Sequence, residues 1–281
     1  MLRFTKMEGL GNDYIYMDGI SQDVPTNKEF IQRISDRHFG IGSDGLIIIL
    51  SSKDYDFKMR MFNLDGSEGK MCGNGIRCFA KFVYDHHLTE KTYLEIETLG
   101  GVKKVWLDVQ DGCVQSVKVD MGAPILQTEK IPCLFNKETM IHEPVEVDGE
   151  IYYLTSLSMG NPHTVMYRDH LDFDIQKVGP LFEKHDMFPE SVNTEFVQVV
   201  SPTYLKMRVW ERGSGETMAC GTGACAVMYA SYLNHLCKSH VTVELLGGCL
   251  DISYQDGTIY MQGPATTVFE GIIDERKYNN V

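Results

Sequence analysis

The sequence predicts a mixed α/β chain of the α+β kind, built as two halves that repeat one order of strands and helices. Three observations carry that prediction. M-R-M-F-N-L-D-G-S-E-G-K-M-C-G-N-G-I-R-C from Met59 matches M-R-V-W-E-R-G-S-G-E-T-M-A-C-G-T-G-A-C from Met207 at an offset of 148 residues, with Cys72 opposite Cys220. Gly11-Asn12 lies opposite Gly160-Asn161, and Leu99-Gly100-Gly101 opposite Leu246-Gly247-Gly248. Each half then reaches a hairpin through an Asp-Gly turn, Asp111-Gly112 and Asp256-Gly257. A period this long marks a duplicated domain, not a solenoid.

The elements follow in the same order twice. Met1 to Lys6 alternates as a strand, and Tyr14 to Asp18 is extended. Thr26-Asn27-Lys28-Glu29 reads as a capping box that opens a helix to about Phe39, with Phe30, Ile31 and Ile34 at helical spacing. Strands follow at 46–50 and 57–62, then a helix from Gly73 to about Tyr84. In the second half Thr164 to Tyr167 is extended and an amphipathic helix lies near 174–185. Strands at 194–200 and 204–210 lead to a helix from Gly221 to about Leu236, and strands at 241–246, 249–255 and 258–262 close the half. Each half is thus a strand-rich layer packed on helices. The expected boundaries are 1–121 and 122–266, with a linker near Gly122 to Pro132. The strand-like Thr267 to Ile273, within 267–281, returns to the first half.

The chain has 281 residues, 43% hydrophobic, and 39 acidic against 26 basic side chains for a formal charge of −13. No global positive field is available for a phosphate backbone or an anionic bilayer, which argues against nucleic-acid and membrane partners. The longest apolar run, Leu46 to Leu50, is far short of the roughly 20 residues that cross a bilayer. With no secretory or transit pattern at the N-terminus, a cytoplasmic protein is expected. Eight cysteines show no small secreted framework, so free thiols are expected.

Position singles out two of those thiols. Cys72 and Cys220 each stand between a strand and a helix, followed at once by C-G-N-G and C-G-T-G. A helix N-terminus leaves backbone N–H groups unpaired and favours negative charge, so it can grip a carboxylate and lower a thiol pKa. Glycines let a substrate approach the backbone closely. If the halves face one another around a pseudo-twofold axis, two thiols flank one carbon, which is what inversion at a Cα–H requires. Bringing a thiol from about 8.5 to about 7 takes about 2 kcal/mol, more than the 0.3–1 kcal/mol a helix terminus usually contributes. A polar helper is therefore expected, with His163 and Glu211 as candidates.

Together G-L-G-N-D (9–13), R-H-F-G-I-G-S-D-G (37–45), N-L-D-G-S-E (63–68), M-C-G-N-G-I-R-C (71–78), S-M-G-N-P-H (158–163) and E-R-G-S-G-E-T-M-A-C-G-T-G (211–223) resemble the diaminopimelate epimerase family over essentially the whole chain. The resemblance implies two pseudosymmetric domains, each a mixed sheet curled around a central helix. It implies a cofactor-independent, metal-free enzyme that interconverts L,L- and meso-2,6-diaminopimelate in lysine and peptidoglycan precursor synthesis. Cys220 would act as base and Cys72 as acid in one direction, with the roles exchanged in the other. The amides of Gly73, Asn74, Gly221 and Thr222 would hold the reacting carboxylate. Asn12 and Asn161 would hold the reacting amino acid, and Asn63, Asn193, Glu211 and Arg212 would read the distal ammonium and carboxylate. Two positions depart from the family pattern: Gly45 stands where many members have glutamine, and Phe269 where several have a tyrosine associated with subunit pairing. A homodimer through the region of Phe269 is still expected.

Rival readings are weaker. Gly40-x-Gly42-x-x-Gly45 spells a dinucleotide fingerprint, but a helix precedes it and a strand follows, the reverse of the required order. Cys72 and Cys78 lie about 240° apart around a helix, and Cys220 and Cys225 about 140° apart, so neither pair chelates one ion. A Cys72–Cys220 disulfide would make a redox sensor, and a binding protein without catalysis is a third reading. A proline-racemase-like enzyme also pairs two cysteines, but Asn74 stands where its first motif, C-G-H-G, has histidine.

Overall fold

The computed structural model describes residues 1–279, which form two compact units, Met1–Val119 with the chain from Gly263 onward, and Asp120–Gln262. The first contains β1 (Leu2–Gly9), β2 (Asn12–Asp18), α1 (Lys28–Ser35), β3 (Gly45–Leu50), β4 (Phe57–Asn63), β5 (Glu68–Gly69), α2 (Gly73–Asp85), β6 (Tyr93–Thr98), β7 (Gly101–Gln110) and β8 (Cys113–Gly122). The second contains a 3-10 turn (Thr128–Lys130), β9 (Met140–Val147), β10 (Glu150–Ser158), β11 (Pro162–Tyr167), α3 (Ile175–Glu183), β12 (Asn193–Ser201), β13 (Tyr204–Glu211), β14 (Gly215–Glu216), α4 (Gly221–Leu233), β15 (His240–Leu245), β16 (Gly248–Gln255) and β17 (Thr258–Pro264). The chain ends with β18 (Thr266–Ile273) and α5 (Arg276–Asn279).

Both units run the same mixed sheet. In the first the strand path is β18-β1-β2-β3-β4-β6-β7-β8, antiparallel except for the parallel pairs β2–β3 and β4–β6. In the second it is β9-β10-β11-β12-β13-β15-β16-β17, with the parallel pairs at the equivalent places, β11–β12 and β13–β15. Registers agree as well: Tyr16 pairs with Ile47 in one half, and Val165 with Glu195 in the other. Paired charges repeat with the strands, Arg60 to Glu68 and Arg208 to Glu216, each nitrogen–oxygen contact 2.7 Å. The fold is a duplicated mixed α/β architecture. Its outer strand is β9, from just upstream, in the second half, but β18, from the end of the chain, in the first.

Each sheet curls around one helix. α2 packs on β1, β2, β3 and β7, and α4 on β10, β11, β12, β13, β15 and β16. α4 is apolar all round, with Ala224, Cys225, Ala226, Val227 and Met228 fully buried, as a helix enclosed on every side must be. The opposite sheet face takes an outer helix. Ile15, Met17, Leu46 and Ile48 point to α1 and join Phe30, Ile31 and Ile34 in one core. On the other side of the same strand the Tyr16 hydroxyl donates to Gly75 O at 2.9 Å, as period-two alternation demands. In the second half α3 supplies Ile175 and Phe182 to a core with Phe196, Met166 and Leu154.

Several sequence expectations need correction. The N-cap of α1 is Asn27, whose Oδ1 accepts from Phe30 N at 2.9 Å, not Thr26 of the proposed capping box. The helix stops at Ser35, short of Phe39, because the Asp36 carboxylate captures the amides of His38 and Phe39, both at 2.7 Å. α4 ends at Leu233 instead of Leu236, where Asn234 Nδ2 bonds Ala230 O at 2.8 Å and His235 turns left-handed at φ 58°. The stretch after Gly122 makes isolated bridges to the second half, Ile125 with Ser158 and Gln127 with Thr139. The β9–β10 hairpin is a further Asp-Gly turn, at Asp148 (φ 50°) and Gly149 (φ 79°).

Gly45 begins β3 where there is no room for a side chain. A Cβ there would fall 1.9 Å from Phe62 O and 3.1 Å from the Tyr14 ring. Gly45→Gln should therefore destabilise the protein by about 1–3 kcal/mol, read as a lowered denaturation midpoint, since the clash is with backbone that cannot rotate away. A midpoint at the wild-type value would show that the strand yields without cost.

Candidate active site

Each half caps its central helix with a cysteine. Cys72 is the N-cap of α2 in extended conformation, and its Sγ accepts from Gly75 N at 3.3 Å. Cys220 does the same for α4, accepting from Gly223 N at 3.3 Å. The amides that precede these, of Gly73 and Asn74 and of Gly221 and Thr222, open their helices, where no i−4 carbonyl exists to receive them. The third helical residue must be glycine for close packing. A Cβ at Gly75 would meet Ile47 Cδ1 at 2.7 Å, and one at Gly223 would meet Glu195 Oε1 at 2.8 Å.

In the first half the Cys72 thiol donates to Asn12 Oδ1 at 3.3 Å. Asn12 is itself oriented, its Nδ2 donating to Asp44 Oδ2 at 2.8 Å. Behind them Asp13 takes Arg37 bidentately at 3.1 and 2.7 Å and Lys6 at 2.6 Å. Burial works to raise the Asp13 pKa, yet the bonds and charges of Arg37 and Lys6 prevail and hold it below the usual carboxylate range. Tyr14, absent from the sequence candidates, lies against Asn12 and Cys72, and burial together with the Cys72 charge pushes its hydroxyl well above the ordinary phenol. Asn74 is buried with its Oδ1 on Arg77 Nη1 at 3.0 Å. Asn63 is exposed at the end of β4 and bonds Ser67 Oγ at 3.0 Å, on the turn and not on the thiol.

In the second half the groups form a chain. Asn161 Nδ2 donates to Thr222 Oγ1 at 3.3 Å, and its Oδ1 meets His163 Nε2 at 3.0 Å. His163 Nδ1 lies 2.6 Å from Glu195 Oε1, with both side chains fully buried. Both ring nitrogens are thus taken, and within this half the Cys220 thiol has Thr222 (3.5 Å) and Glu211 as its side-chain neighbours. Glu211 accepts from the Thr217 hydroxyl, and burial raises its carboxyl above the usual range. That placement puts its carboxylate at the thiol. Asn193 Nδ2 bonds Pro162 O at 3.0 Å while its Oδ1 receives Arg212 N at 2.9 Å, fixing Asn193 and Arg212 as a unit. Glu183 of α3 secures this corner from behind, bonding Trp210 Nε1 at 2.7 Å and Gly213 N at 2.9 Å.

At the second thiol burial works against the helix end. A helix terminus alone would lower the Cys220 pKa, but burial pushes it well above its ordinary value, and the Glu211 and Glu195 carboxylates push further against the pull of Thr222 and the Gly223 amide. The desolvation of a nearly inaccessible sulfur exceeds what one helix end supplies. All eight cysteines are free thiols. Among the described residues no group of three or more His, Cys, Asp or Glu side chains is arranged to hold a metal ion, and no helix is long and apolar enough to cross a membrane.

A sequence profile described as diaminopimelate epimerase matches residues 4–127 and 155–268. The segment it leaves out, 128–154, covers the 3-10 turn, β9 and the start of β10. Diaminopimelate epimerases of Acetivibrio thermocellus and Methanococcus maripaludis are 54% and 55% identical, each over 97% of this chain and 99% and 100% of theirs. Among solved structures, a probable proline racemase from Agrobacterium radiobacter with bound carbonate superposes with TM-score 0.73 at 12% identity, over 98% of this chain and 93% of that one. A hydroxyproline epimerase from Agrobacterium vitis with bound trans-4-hydroxy-L-proline gives 0.69 at 12%, over 96% and 90%. At such identity these two share the fold.

The raised Cys220 pKa has a direct readout. In the free protein, alkylation of Cys220 by iodoacetamide, followed by peptide mass spectrometry, should keep accelerating with pH through 9, because the thiolate fraction is still small there. A rate that levels off near neutral pH would contradict the burial argument.

Proposed function

The chain belongs to the diaminopimelate epimerase family, and from that premise we propose that it interconverts L,L- and meso-2,6-diaminopimelate by moving one α-proton between two cysteines. The observation that carries the reading is the matched pair of Cys-capped, glycine-opened helices, one per half. One thiolate removes the Cα proton from one face. The electron pair left on carbon delocalises into the carboxylate, which the first-turn amides of α2 and α4 stabilise as charge develops. The opposite thiol then delivers its own proton from behind, so the configuration inverts and the two sulfurs exchange protonation states.

Cys220 serves as acid in one direction, with Cys72 as base, and burial together with the Glu211 and Glu195 carboxylates works against its thiolate. For the reverse direction it must become the base, and an incoming α-ammonium beside Glu211 and Cys220 supplies the positive charge that favours the thiolate. Asn12 and Asn161 orient the reacting amino acid from the two halves. Asn193 and Arg212, joined through the backbone, read the distal end, where a guanidinium suits a carboxylate. Asn63 contributes from the 63–67 turn. No cofactor enters this sequence of steps. The product serves lysine and peptidoglycan precursor synthesis, in a reducing cytoplasm that suits eight free thiols.

The enzyme works as a homodimer through β18, whose Val268, Phe269 and Ile272 are 54%, 45% and 60% exposed on the outer strand of the first half. Phe269→Glu should halve the mass found by light scattering, and an unchanged mass would place any subunit contact elsewhere.

Incubation with L,L-diaminopimelate in deuterated water, without added cofactor, should yield both isomers with solvent label at one α-carbon. Cys72→Ser and Cys220→Ser should each lower turnover by about 10²–10⁴-fold, the scale of a lost general acid or base. Wild-type turnover in either variant would refute the two-thiol mechanism.

A further inference from the structure

Asn12 and Asn161 occupy equivalent places, each four residues before the paired positions Tyr16 and Val165, but the two carboxamides are held differently. Counting back three residues from Ile47 and Glu195 puts Asp44 of the first half opposite Val192 of the second. Val192 is fully buried in an apolar core, so the fold itself does not ask for an acid at this place. Asp44 is partly exposed, and its carboxylate turns to the Asn12 carboxamide. The asparagine recurs in both halves while the acid behind it does not, which ties Asp44 to the asparagine and not to packing.

A carboxamide turns over with little change of shape, so its direction is decided by what surrounds it. The Cys72 thiol, 3.3 Å from Asn12 Oδ1, and the Tyr14 hydroxyl against the same group leave that direction open, because each can give or take a hydrogen bond. Asp44 closes it. Its Oδ1 receives Arg37 Nη2 at 3.0 Å and its Oδ2 receives the backbone amide of Asp13 at 3.1 Å, two donors whose sense is fixed by their chemistry. A carboxylate ion-paired in this way accepts only, so the atom 2.8 Å from its Oδ2 is the Asn12 nitrogen. The carboxamide oxygen is thereby left facing the Cys72 sulfur.

We propose that Asp44 is a positioning residue, which pins the Asn12 nitrogen and so presents the carboxamide oxygen to Cys72 and to the amino acid bound against that sulfur. The inference rests on the epimerase reading, in which Asn12 orients the reacting amino acid and Cys72 exchanges a proton with it. Arg37 backs the anchor from outside, sharing one guanidinium nitrogen between Asp13 and Asp44. Without Asp44 the carboxamide is free to turn over. The substrate then still reaches the helix-end amides, but its α-carbon is misaligned, an error that falls on turnover more than on binding.

A double-mutant cycle separates this role from a structural one. Asp44→Ala should lower turnover about 10²-fold, the scale of a misplacement of about 1 Å, with KM little changed. Asp44→Val, which installs the residue of the second half, should do the same. Asn12→Ala should lower turnover at least as far, and the Asn12→Ala/Asp44→Ala double variant should be no slower than Asn12→Ala alone, because Asp44 acts through Asn12. Independently of activity, the Asn12 side-chain NH2 signals in NMR spectra, assigned by their loss in Asn12→Ala, should exchange with solvent several-fold more slowly in the wild type than in Asp44→Ala. Wild-type turnover in both Asp44 variants, losses that multiply in the double variant, or equal exchange rates would each overturn the proposal. If the wild-type protein leaves diaminopimelate unchanged, the epimerase reading fails on its own, and the exchange rates still decide whether Asp44 holds Asn12.

Discussion

A thiol that caps a fully enclosed helix is the constraint from which the rest of the arrangement follows. The sulfur must reach the amide three residues on, so its position is set by backbone and not by a flexible side chain. The helix behind it must then be wrapped by sheet, the third residue must be glycine, and the strand beneath must present the right group to that glycine. Ile47 meets this last demand in one half and Glu195 in the other. Enclosure also removes water from the sulfur, which is why the Cys220 thiol is harder to ionise than its place at a helix start suggests.

Much of the fold was legible because the duplication wrote it twice. The glycines at 73, 75, 221 and 223, the Asp-Gly turns and the aligned cysteines located both central helices and most strands. Where reading failed, a side chain redirected the backbone. Asp36 ended α1 by binding two amides ahead of it, a local competition that helical spacing of Phe30, Ile31 and Ile34 does not reveal. The hairpin of β9 and β10 is not legible from the repeat, since the stretch from Met140 has no partner in it.

The site was less legible than the fold. Cysteines, asparagines and glycines stand out by motif, and their neighbours do not. Glu195 lies in N-T-E-F, an ordinary strand by pattern, and only its register opposite Ile47 betrays an acid in an apolar position. Tyr14 was likewise hidden, although its register opposite His163 signals it. At these paired places the halves differ in kind, Ile47 against Glu195 and Tyr14 against His163. Duplication provided two equal scaffolds, and substitution at facing positions made them chemically unequal.

The way the outer strands are supplied bears on how the chain comes into being. On the ribosome, the second half receives all of its strands in unbroken succession, whereas β1 is made before the whole of that half and waits for β18, which follows it. Until β18 is made the first half exposes an unpaired edge, a template for wrong partners. The portion synthesised first is therefore the portion completed last, and premature termination would leave it open however well the rest had matured.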